Sequence, residues 1–344
     1  MTAAEIRELA RASGFELAGV ARAEPARDAA RYHAWTAAGL AGEMGYLTDR
    51  RGGLRDDPRH LLPAARSIVC VGKLYNTGWP HSDRFSQPEL AWISRYAWGG
   101  DYHQVMRRGL ERLEAALRQR VTEPFEARIC VDTAPLLERS YARLAGLGWI
   151  GRNTCLINQQ AGSWFFLGEL LVSFEMAPDA PPPDRCGTCR RCIDACPTQA
   201  IVPFQGGYTV DARLCISYFT IELRGPMPRE TRAGAGAHVF GCDICQDVCP
   251  WNRRAPVTLE ACFEPRHFAP QLERLAGLSE EEFRGMFRST PVTRARYRGF
   301  LRNVAIAMGN ARLEKFREPL ERLARSEDAV VAEHARWGLA RLSG

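Results

Sequence analysis

A closely spaced run of cysteines followed by proline constrains this chain more than any other part of its sequence. The run CGTCRRCIDACP has the spacing C-x2-C-x2-C-x3-C-P and contains Cys186, Cys189, Cys192 and Cys196. In proteins that hold two 4Fe-4S clusters with this spacing, the first three thiolates bind one cluster and the fourth binds the other. The later segments DARLCISYF and GCDICQDVCPWN supply four further cysteines, Cys215, Cys242, Cys245 and Cys249. The pattern therefore predicts two 4Fe-4S clusters and the transfer of single electrons.

The crossed spacing divides eight of the cysteines between the two clusters. We expect the first cluster to be bound by Cys186, Cys189, Cys192 and Cys249. We expect the second cluster to be bound by Cys196, Cys215, Cys242 and Cys245. Four cysteines remain, and we expect each of them to be a small buried apolar residue: Cys70, Cys130, Cys155 and Cys262.

A pair of structural zinc sites is the alternative interpretation, because four thiolates also suit tetrahedral zinc. A zinc ribbon, however, has paired CxxC knuckles. This chain instead places three thiolates within seven residues and follows the fourth with proline, which favours iron-sulfur clusters.

Length and composition are those of an ordinary globular protein of two or three domains, with 344 residues, 46% hydrophobic and 25% charged. The opening MTAAEIRELARASGFELAGVA has an amphipathic helical pattern without the features of a signal peptide, and no stretch is apolar enough to span a bilayer. We therefore expect a soluble, cytoplasmic protein without membrane contact. In such a chain, twelve cysteines favour metal binding over disulfides.

Residues 1–177 alternate between helical and strand patterns, which predicts an α/β domain. The expected strands are Ser67 to Tyr75, Ala127 to Asp132, Thr154 to Ile157 and Ser163 to Phe174. A helix is expected from Asp101 to Arg120. The segment APDAPPPDR, with four prolines, interrupts any regular element. We therefore expect a ferredoxin-like domain over residues 178–255 and a helical domain of repeat-like units over residues 256–344.

Two further segments carry charged residues with a possible function. From Arg284 to Arg325 eleven Arg or Lys residues stand against three Glu, which indicates a basic surface for a partner. In VDTAPLLERSYARLAGLGWIG, a strand ends at Asp132 and a glycine-rich loop that can approach a flat ligand follows. Asp132 is therefore a candidate proton donor, particularly if burial raises its pKa. Its alternative role is to cap the next helix.

The sequence lacks both the G-x-G-x-x-G of dinucleotide-binding folds and the G-x-x-x-x-G-K-[ST] phosphate loop. This argues against a Rossmann nicotinamide site and against a P-loop. The segment Asp101 to Met106 partly matches the D-x-H-x-x-G motif of corrinoid proteins that ligate cobalt through histidine, but Met106 replaces the glycine. The motif is therefore weak support for a ligand role of His103.

Several segments taken together resemble the epoxyqueuosine reductase family of tRNA-modifying enzymes. They are RYAWGGDYH, VDTAPLLERSYARLAGLGWIG, GSWFFLGELL, CGTCRRCIDACPTQAI, LCISYFTIE and GCDICQDVCPWN, and the resemblance runs from about Arg55 to the C-terminus. It implies a cobalamin in the α/β domain, a C-terminal HEAT-like repeat and reduction of the epoxide of epoxyqueuosine at the tRNA wobble position. It also implies that Asp132 is the proton donor. We expect an external low-potential electron donor and a monomer.

The resemblance also suggests where the cobalamin and the tRNA bind. For the cobalamin pocket we predict Asp132 together with Arg55, Arg95, Tyr96, Asn153 and Ser163, and we add Ser217 and Asp243 because they neighbour cluster cysteines. Arg95 and Tyr96 have packing inside the domain as their alternative role. The family often has Lys-His or Lys-Asn where this chain has Arg152-Asn153, so a role tied to that lysine does not carry over. For the tRNA phosphates we predict the densest basic run, Arg294, Arg296, Arg298 and Arg302.

Two other functions remain open from sequence. A corrinoid-dependent reductive dehalogenase would share the cobalt, the clusters and the proton donor, but such proteins usually carry a twin-arginine export signal and need no basic helical tail. A non-catalytic electron carrier would have the clusters and would retain no corrinoid.

Overall fold

The structure is a computed structural model that describes residues 1–342. Within that range the strands are β1 (Leu17–Arg22), β2 (Ser67–Leu74), β3 (Trp92–Ile93), β4 (Ala127–Cys130), β5 (Trp149–Ile150), β6 (Leu156–Ile157), β7 (Phe165–Val172), β8 (Ile201–Phe204), β9 (Gly207–Val210) and β10 (His238–Phe240). The helices of the first half are α1 (Ala3–Ala12), α2 (Asp28–Ala37), α3 (Gly45–Thr48), α4 (Tyr102–Arg120) and α5 (Glu138–Leu144). Those of the second half are α6 (Arg191–Asp194), α7 (Ile216–Ile221), α8 (Arg229–Arg232), α9 (Ile244–Asp247), α10 (Leu272–Ala276), α11 (Glu280–Met286), α12 (Arg296–Ala311), α13 (Arg317–Ala324) and α14 (Ala329–Leu342).

The first half is organised around a sheet of four antiparallel strands in the order β1-β2-β7-β4, counted within residues 1–342. Every residue of β2 is buried, because apolar side chains cover both faces of the sheet. On one face, α1 and α4 pack through residues such as Ile6 and Leu110. On the other face, α5 packs through Tyr141 and Ala142. The result is a mixed α/β domain in which β4 ends at the surface just before Asp132.

The expected strands are present with shorter bounds, and the opening segment differs from its prediction. Residues 1–21 are not one helix, because α1 ends at Ala12 and β1 then pairs with β2. Gly14, with a φ of +97°, supplies the left-handed turn that ends a helix. The strand expected over Thr154 to Ile157 is reduced to its last two residues. The preceding Thr154 is itself left-handed, with a φ of +63°.

Cys70 and Cys130 are buried in the core between the sheet and α5, as expected. The other two cysteines outside the predicted ligand set, Cys155 and Cys262, are only half-buried. The expectation of full burial is therefore correct for the two sheet cysteines and wrong for the other two.

The cysteine-rich segment is not isolated from the first half of the chain. Strand β10, which directly precedes the last cysteine run, pairs in parallel with β3 of the first half. Trp92 and Ile93 of β3 are buried in the same core as residues of α10 and α12. The three regions of the chain therefore pack against one another through residues 91–98.

The central helix of the C-terminal region is α12, of which eleven of sixteen residues are buried. It crosses α14 closely, since a Cβ added to Gly309 would lie 2.6 Å from the Cα of Gly338. Among residues 1–342, no helix is long and apolar enough to cross a membrane.

One predicted phosphate-binding residue lies inside this helix packing. Arg302 is 1% exposed, and its guanidinium donates hydrogen bonds to the backbone carbonyls of Leu223 (2.8 Å), Gly225 (2.7 Å) and Phe219. Burial lowers the pKa of Arg302 to about 10. The prediction that Arg302 contacts tRNA phosphates is wrong for this reason, because the side chain joins α12 to the end of α7.

We predict that Arg302→Ala lowers the free energy of unfolding by about 3 kcal/mol, because buried carbonyl groups lose their donors. The measurement is a urea denaturation curve of each variant. The matched control is Arg298→Ala in the same helix, whose ion pair with Asp328 (2.9 Å) is half-exposed. That control should lose less than about 1 kcal/mol, and equal losses in the two variants would contradict the structural role of Arg302.

Candidate active site and cluster-binding region

The cysteines of the predicted ligand sets lie in two groups. Cys186, Cys189, Cys192 and Cys249 line one small cavity together with Arg152, Pro250 and Trp251. The second group contains Cys196, Cys215, Cys242 and Cys245. Burial raises the pKa of Cys242 well above its ordinary value, and the nearby Cys215 and Cys196 thiols add to the shift.

Cys155 lies beside the second group and was missed by the sequence reasoning. Its thiol lies beside that of Cys245, and the neighbouring Asn153 donates to the Cys245 carbonyl (3.2 Å). The segment 151–155 therefore packs directly on the second cysteine run. Its glycine-rich start was visible in the sequence, but nothing in the spacing related it to cysteines ninety residues later.

Asp132 stands at the end of β4 in a left-handed conformation, with a φ of +50°. Its Oδ2 lies 3.2 Å from Nε2 of His103, and Nδ1 of that imidazole lies 2.8 Å from Oδ1 of Asp101. A doubly protonated imidazole can donate to both carboxylates. Helix α5 begins six residues further on with Leu137 as its N-cap, so the alternative role of Asp132 as a helix cap is wrong.

The pKa of Asp132 is shifted in the opposite direction from that expected for an acid whose pKa is set by burial alone. Burial raises the pKa of Asp132, but the hydrogen bond and the charge of His103, together with the charge of Arg294, outweigh burial and bring the pKa below its ordinary value. The same hydrogen bond raises the pKa of His103, with Asp101 adding to the rise. The resting site therefore favours a carboxylate at Asp132 and a proton on His103.

Aromatic rings and an arginine border this carboxylate. The ring of Tyr102 stacks on His103 (4.1 Å between centroids) and on Phe166 (4.2 Å). Arg294 is close enough to contribute to the lowered pKa of Asp132. Its Nε lies 2.7 Å from Oε1 of Glu222. Asp132 thus lies among side chains from segments that are far apart in the sequence.

Glu138 supports the Asp132 backbone from behind. Its Oε1 accepts the N–H of Asp132 at 2.6 Å. Burial raises the pKa of Glu138 to about 7, and the adjacent Asp132 carboxylate adds to the rise. The sequence had marked Glu138 only as a residue of the following helix.

Two family models match parts of the chain. Residues 55–133 match the model described as Epoxyqueuosine reductase QueG, DUF1730, and residues 185–252 match the model of a 4Fe-4S double cluster binding domain. Over nearly its whole length the chain is also similar to known enzymes. It is 41% identical to the epoxyqueuosine reductase of Xanthomonas campestris pv. campestris, over 98% of this chain and 95% of that protein. The chain belongs to the epoxyqueuosine reductase family.

Other members of the family show the same relation. The Pseudomonas aeruginosa epoxyqueuosine reductase is 42% identical over 98% of this chain and 94% of its own length. A crystal structure of epoxyqueuosine reductase with a tRNA-Tyr epoxyqueuosine-modified stem loop superposes with a TM-score of 0.89 at 28% identity, covering 99% of this chain and 90% of that one. The Bacillus subtilis enzyme, with an aspartate-bearing catalytic loop swung out of its active site, superposes with a TM-score of 0.87 at 28% identity, over 98% and 90% of the two chains.

The residues predicted for the cobalamin pocket of this family member fall into two groups. Tyr96 is half-buried and lies near Asp132, which contributes to its raised pKa after burial. Ser217 is also half-buried and hydrogen bonds with the Cys215 thiol. Arg55 lies apart, with its Nη1 donating to the Arg51 carbonyl (3.1 Å).

The residues of the second group are buried, and they link the segments around residues 94–95 and 163 to the second cysteine run. Arg95 is 2% exposed, and its guanidinium donates to the carbonyls of residues 77, 79 and 80. The Asp243 carboxylate accepts the N–H of Arg95 (2.8 Å) and the hydroxyl of Ser94. Ser163 donates to Oε1 of Gln246 (2.9 Å). For Arg95 the packing alternative is therefore what the structure shows.

The remaining predicted arginines are on the surface of the reductase. Arg294, Arg296 and Arg298 are exposed around the start of α12. Arg224, which the sequence reasoning did not single out, donates from Nη1 to the Arg294 carbonyl (3.1 Å). Because Arg294 also lies near Asp132, the exposed part of the basic run adjoins the candidate active site.

We predict that Asp132→Asn lowers the pKa of His103, because the hydrogen bond that the imidazole donates to the Asp132 carboxylate is the main cause of its rise above 6.5. The favourable contribution of the His103 cation is complete below pH 6.5 and is lost as the pH rises through the raised pKa. Heteronuclear NMR of the imidazole gives the pKa directly. The control is Asp49→Asn, which alters a surface ion pair with Arg51. An unchanged His103 pKa in Asp132→Asn would disprove the coupling.

Proposed function

We propose that this chain reduces the epoxide of epoxyqueuosine at the wobble position of a tRNA to the alkene of queuosine, with a cobalamin and two 4Fe-4S clusters as cofactors. The reaction consumes two electrons and two protons and releases the epoxide oxygen as water. The observation that carries the proposal is the carboxylate of Asp132 beside a protonatable imidazole, in a chain that also has a double-cluster domain. The solved family member with an epoxyqueuosine-modified stem loop supports the same substrate.

The cluster ligands are proposed as two sets of four thiolates. Cys186, Cys189, Cys192 and Cys249 fit one cluster because they line a common cavity. Cys196, Cys215, Cys242 and Cys245 fit the other because their thiols are mutual neighbours. When bound, the clusters supply electrons one at a time, taken from an external low-potential donor.

A cobalamin is proposed to bind beside Asp132. Tyr96 lies near Asp132, and Gly241 brings the cluster loop close to the Tyr96 ring, since a Cβ there would lie 3.6 Å from it. We propose Tyr96, Asp132, Ser217 and Arg55 as contacts, with Arg95, Asn153, Ser163 and Asp243 supporting the pocket from inside. When bound, the cobalamin supplies a strongly reducing, nucleophilic metal centre.

Asp132 is proposed to deliver a proton to the epoxide oxygen. An alkoxide is a poor leaving group, so a proton at that oxygen during C–O cleavage lowers the barrier. His103 holds a proton at Nε2, 3.2 Å from the Asp132 carboxylate, and can restore the acid form of Asp132. The aspartate-bearing catalytic loop of the Bacillus subtilis enzyme supports a catalytic carboxyl on a loop.

The tRNA is proposed to bind across the exposed arginines of the basic run, of which Arg294 lies near Asp132. Arg294, Arg296 and Arg298 can each pair with a phosphate, and their position beside Asp132 would bring an anticodon loop to the carboxylate. We propose residues 256–344 as a HEAT-like domain of a monomer that presents this surface, following domains of residues 1–177 and 178–255.

The proposed function predicts that Asp132→Asn loses turnover by about two to four powers of ten while it keeps both clusters and the cobalamin. The assay is anaerobic conversion of tRNA bearing epoxyqueuosine by the cluster-reconstituted protein with a low-potential reductant, with and without cobalamin, read by nucleoside mass spectrometry. Asp49→Asn should convert the tRNA at the wild-type rate. No conversion by wild-type protein with intact clusters and bound corrinoid would disprove epoxyqueuosine as the substrate. Failure to retain corrinoid would favour a non-catalytic electron carrier.

The tRNA surface predicts a change in salt dependence. Arg298→Ala should weaken tRNA binding and reduce the slope of log affinity against log salt by about 0.7 to 0.9, as expected for one lost phosphate contact. Fluorescence anisotropy with a labelled anticodon stem loop at several salt concentrations measures the slope. Arg284→Ala is the control, because this exposed arginine pairs with Glu280 at the far end of the basic stretch. Equal slopes for wild type and Arg298→Ala would remove Arg298 from the interface.

A further inference from the structure

We propose that Glu138 is a positioning residue that holds the loop carrying Asp132 in its reactive placement. The inference rests on the proposed role of Asp132 as proton donor and extends it to a residue that need not touch the substrate. The observation behind it is the hydrogen bond from the Asp132 N–H to Oε1 of Glu138, at 2.6 Å.

The loop needs such support because its backbone conformation is unfavourable. Asp132 has a φ of +50°, a region that costs an L-residue free energy unless neighbouring groups stabilise it. The side chain of Asp132 is 43% exposed, so packing contributes little to holding it. Besides Glu138, the main restraint on Asp132 is the contact of its carboxylate with His103, which is itself partly exposed.

Glu138 is well placed to fasten the loop because its own helix is rigidly held. Tyr141, one turn later in α5, is fully buried, and its hydroxyl donates to the Glu24 carbonyl (2.8 Å). Arg139 donates from Nη1 to the Thr154 carbonyl on the other side. The carboxylate of Glu138 therefore links a strained, exposed loop to a helix that is anchored at two points.

The bond acts on the backbone of Asp132 and leaves its carboxyl free. Glu138 accepts the main-chain N–H, while the Asp132 carboxyl faces His103 and is partly exposed. Without the acceptor, the loop can rotate and carry the carboxyl away from the epoxide oxygen. A displacement of about 1 Å can cost on the order of a hundredfold in rate.

Glutamine separates positioning from proton transfer, because its amide carbonyl still accepts the Asp132 N–H but carries no titratable proton. We expect Glu138→Ala to lower kcat by about ten to a hundredfold, with KM for tRNA within about twofold. Glu138→Gln should restore kcat to within about fivefold of wild type. Hydrogen exchange of the backbone amides of Asp132, Thr133 and Ala134 should accelerate in Glu138→Ala and remain slow in Glu138→Gln.

The matched control is Glu16→Ala, because Glu16 also accepts a backbone N–H at the end of a strand, that of Leu74 (2.9 Å). It should leave kcat and the exchange of the Asp132, Thr133 and Ala134 amides unchanged. If Glu138→Gln is as impaired as Glu138→Ala, the carboxylic acid itself is required and positioning is overturned. If Glu138→Ala keeps full kcat while Asp132→Asn loses it, the positioning role of Glu138 is disproved and the proposed role of Asp132 stands. If both keep full kcat, the proposed role of Asp132 fails first.

Discussion

The buried carboxylate of Asp243 joins the two chemical regions of the molecule. It lies between two cysteines of the cluster loop, and it accepts hydrogen bonds from Ser94, from the Arg95 backbone and from the indole of Trp92 (3.2 Å). A buried carboxylate is tolerated only when such donors replace its hydration. Because Tyr96 directly follows these residues, the same contacts hold the second cysteine group close to Tyr96, which is itself a neighbour of Asp132.

The antiparallel sheet provides the other fixed reference. β7 lies between β2 and β4. Ser163 precedes β7, and Asp132 follows the neighbouring strand β4. The pairing of these two strands therefore helps to fix the positions of both residues. Helices on both faces keep the strands in place. Arg294 lies near the loop of Asp132, and Glu138 and His103 contact that loop through their side chains.

The sequence predicted features that depend on local spacing. The double-cluster domain followed from the ferredoxin-like cysteine spacing, and the strand that ends just before Asp132 followed from its apolar pattern. Contacts between distant segments were not predictable in this way. Arg302 belongs to a basic run in the sequence, yet helix packing turns it inward to three backbone carbonyls. Cys155 and Glu138 gained their partners only through folding, and the lowered pKa of Asp132 reflects an imidazole twenty-nine residues earlier in the chain.

Helix α12 has two sides with different partners. Its exposed arginines, Arg296 and Arg298, face solvent, while Arg302 on its buried side holds the carbonyls at the end of α7, the helix that begins directly after Cys215. With sixteen residues, α12 is a rod about 24 Å long. The close crossing with α14 at Gly309 and Gly338 leaves it little freedom to bend. A group that binds the solvent side of α12 therefore contacts the same rigid helix that fixes the segment following Cys215.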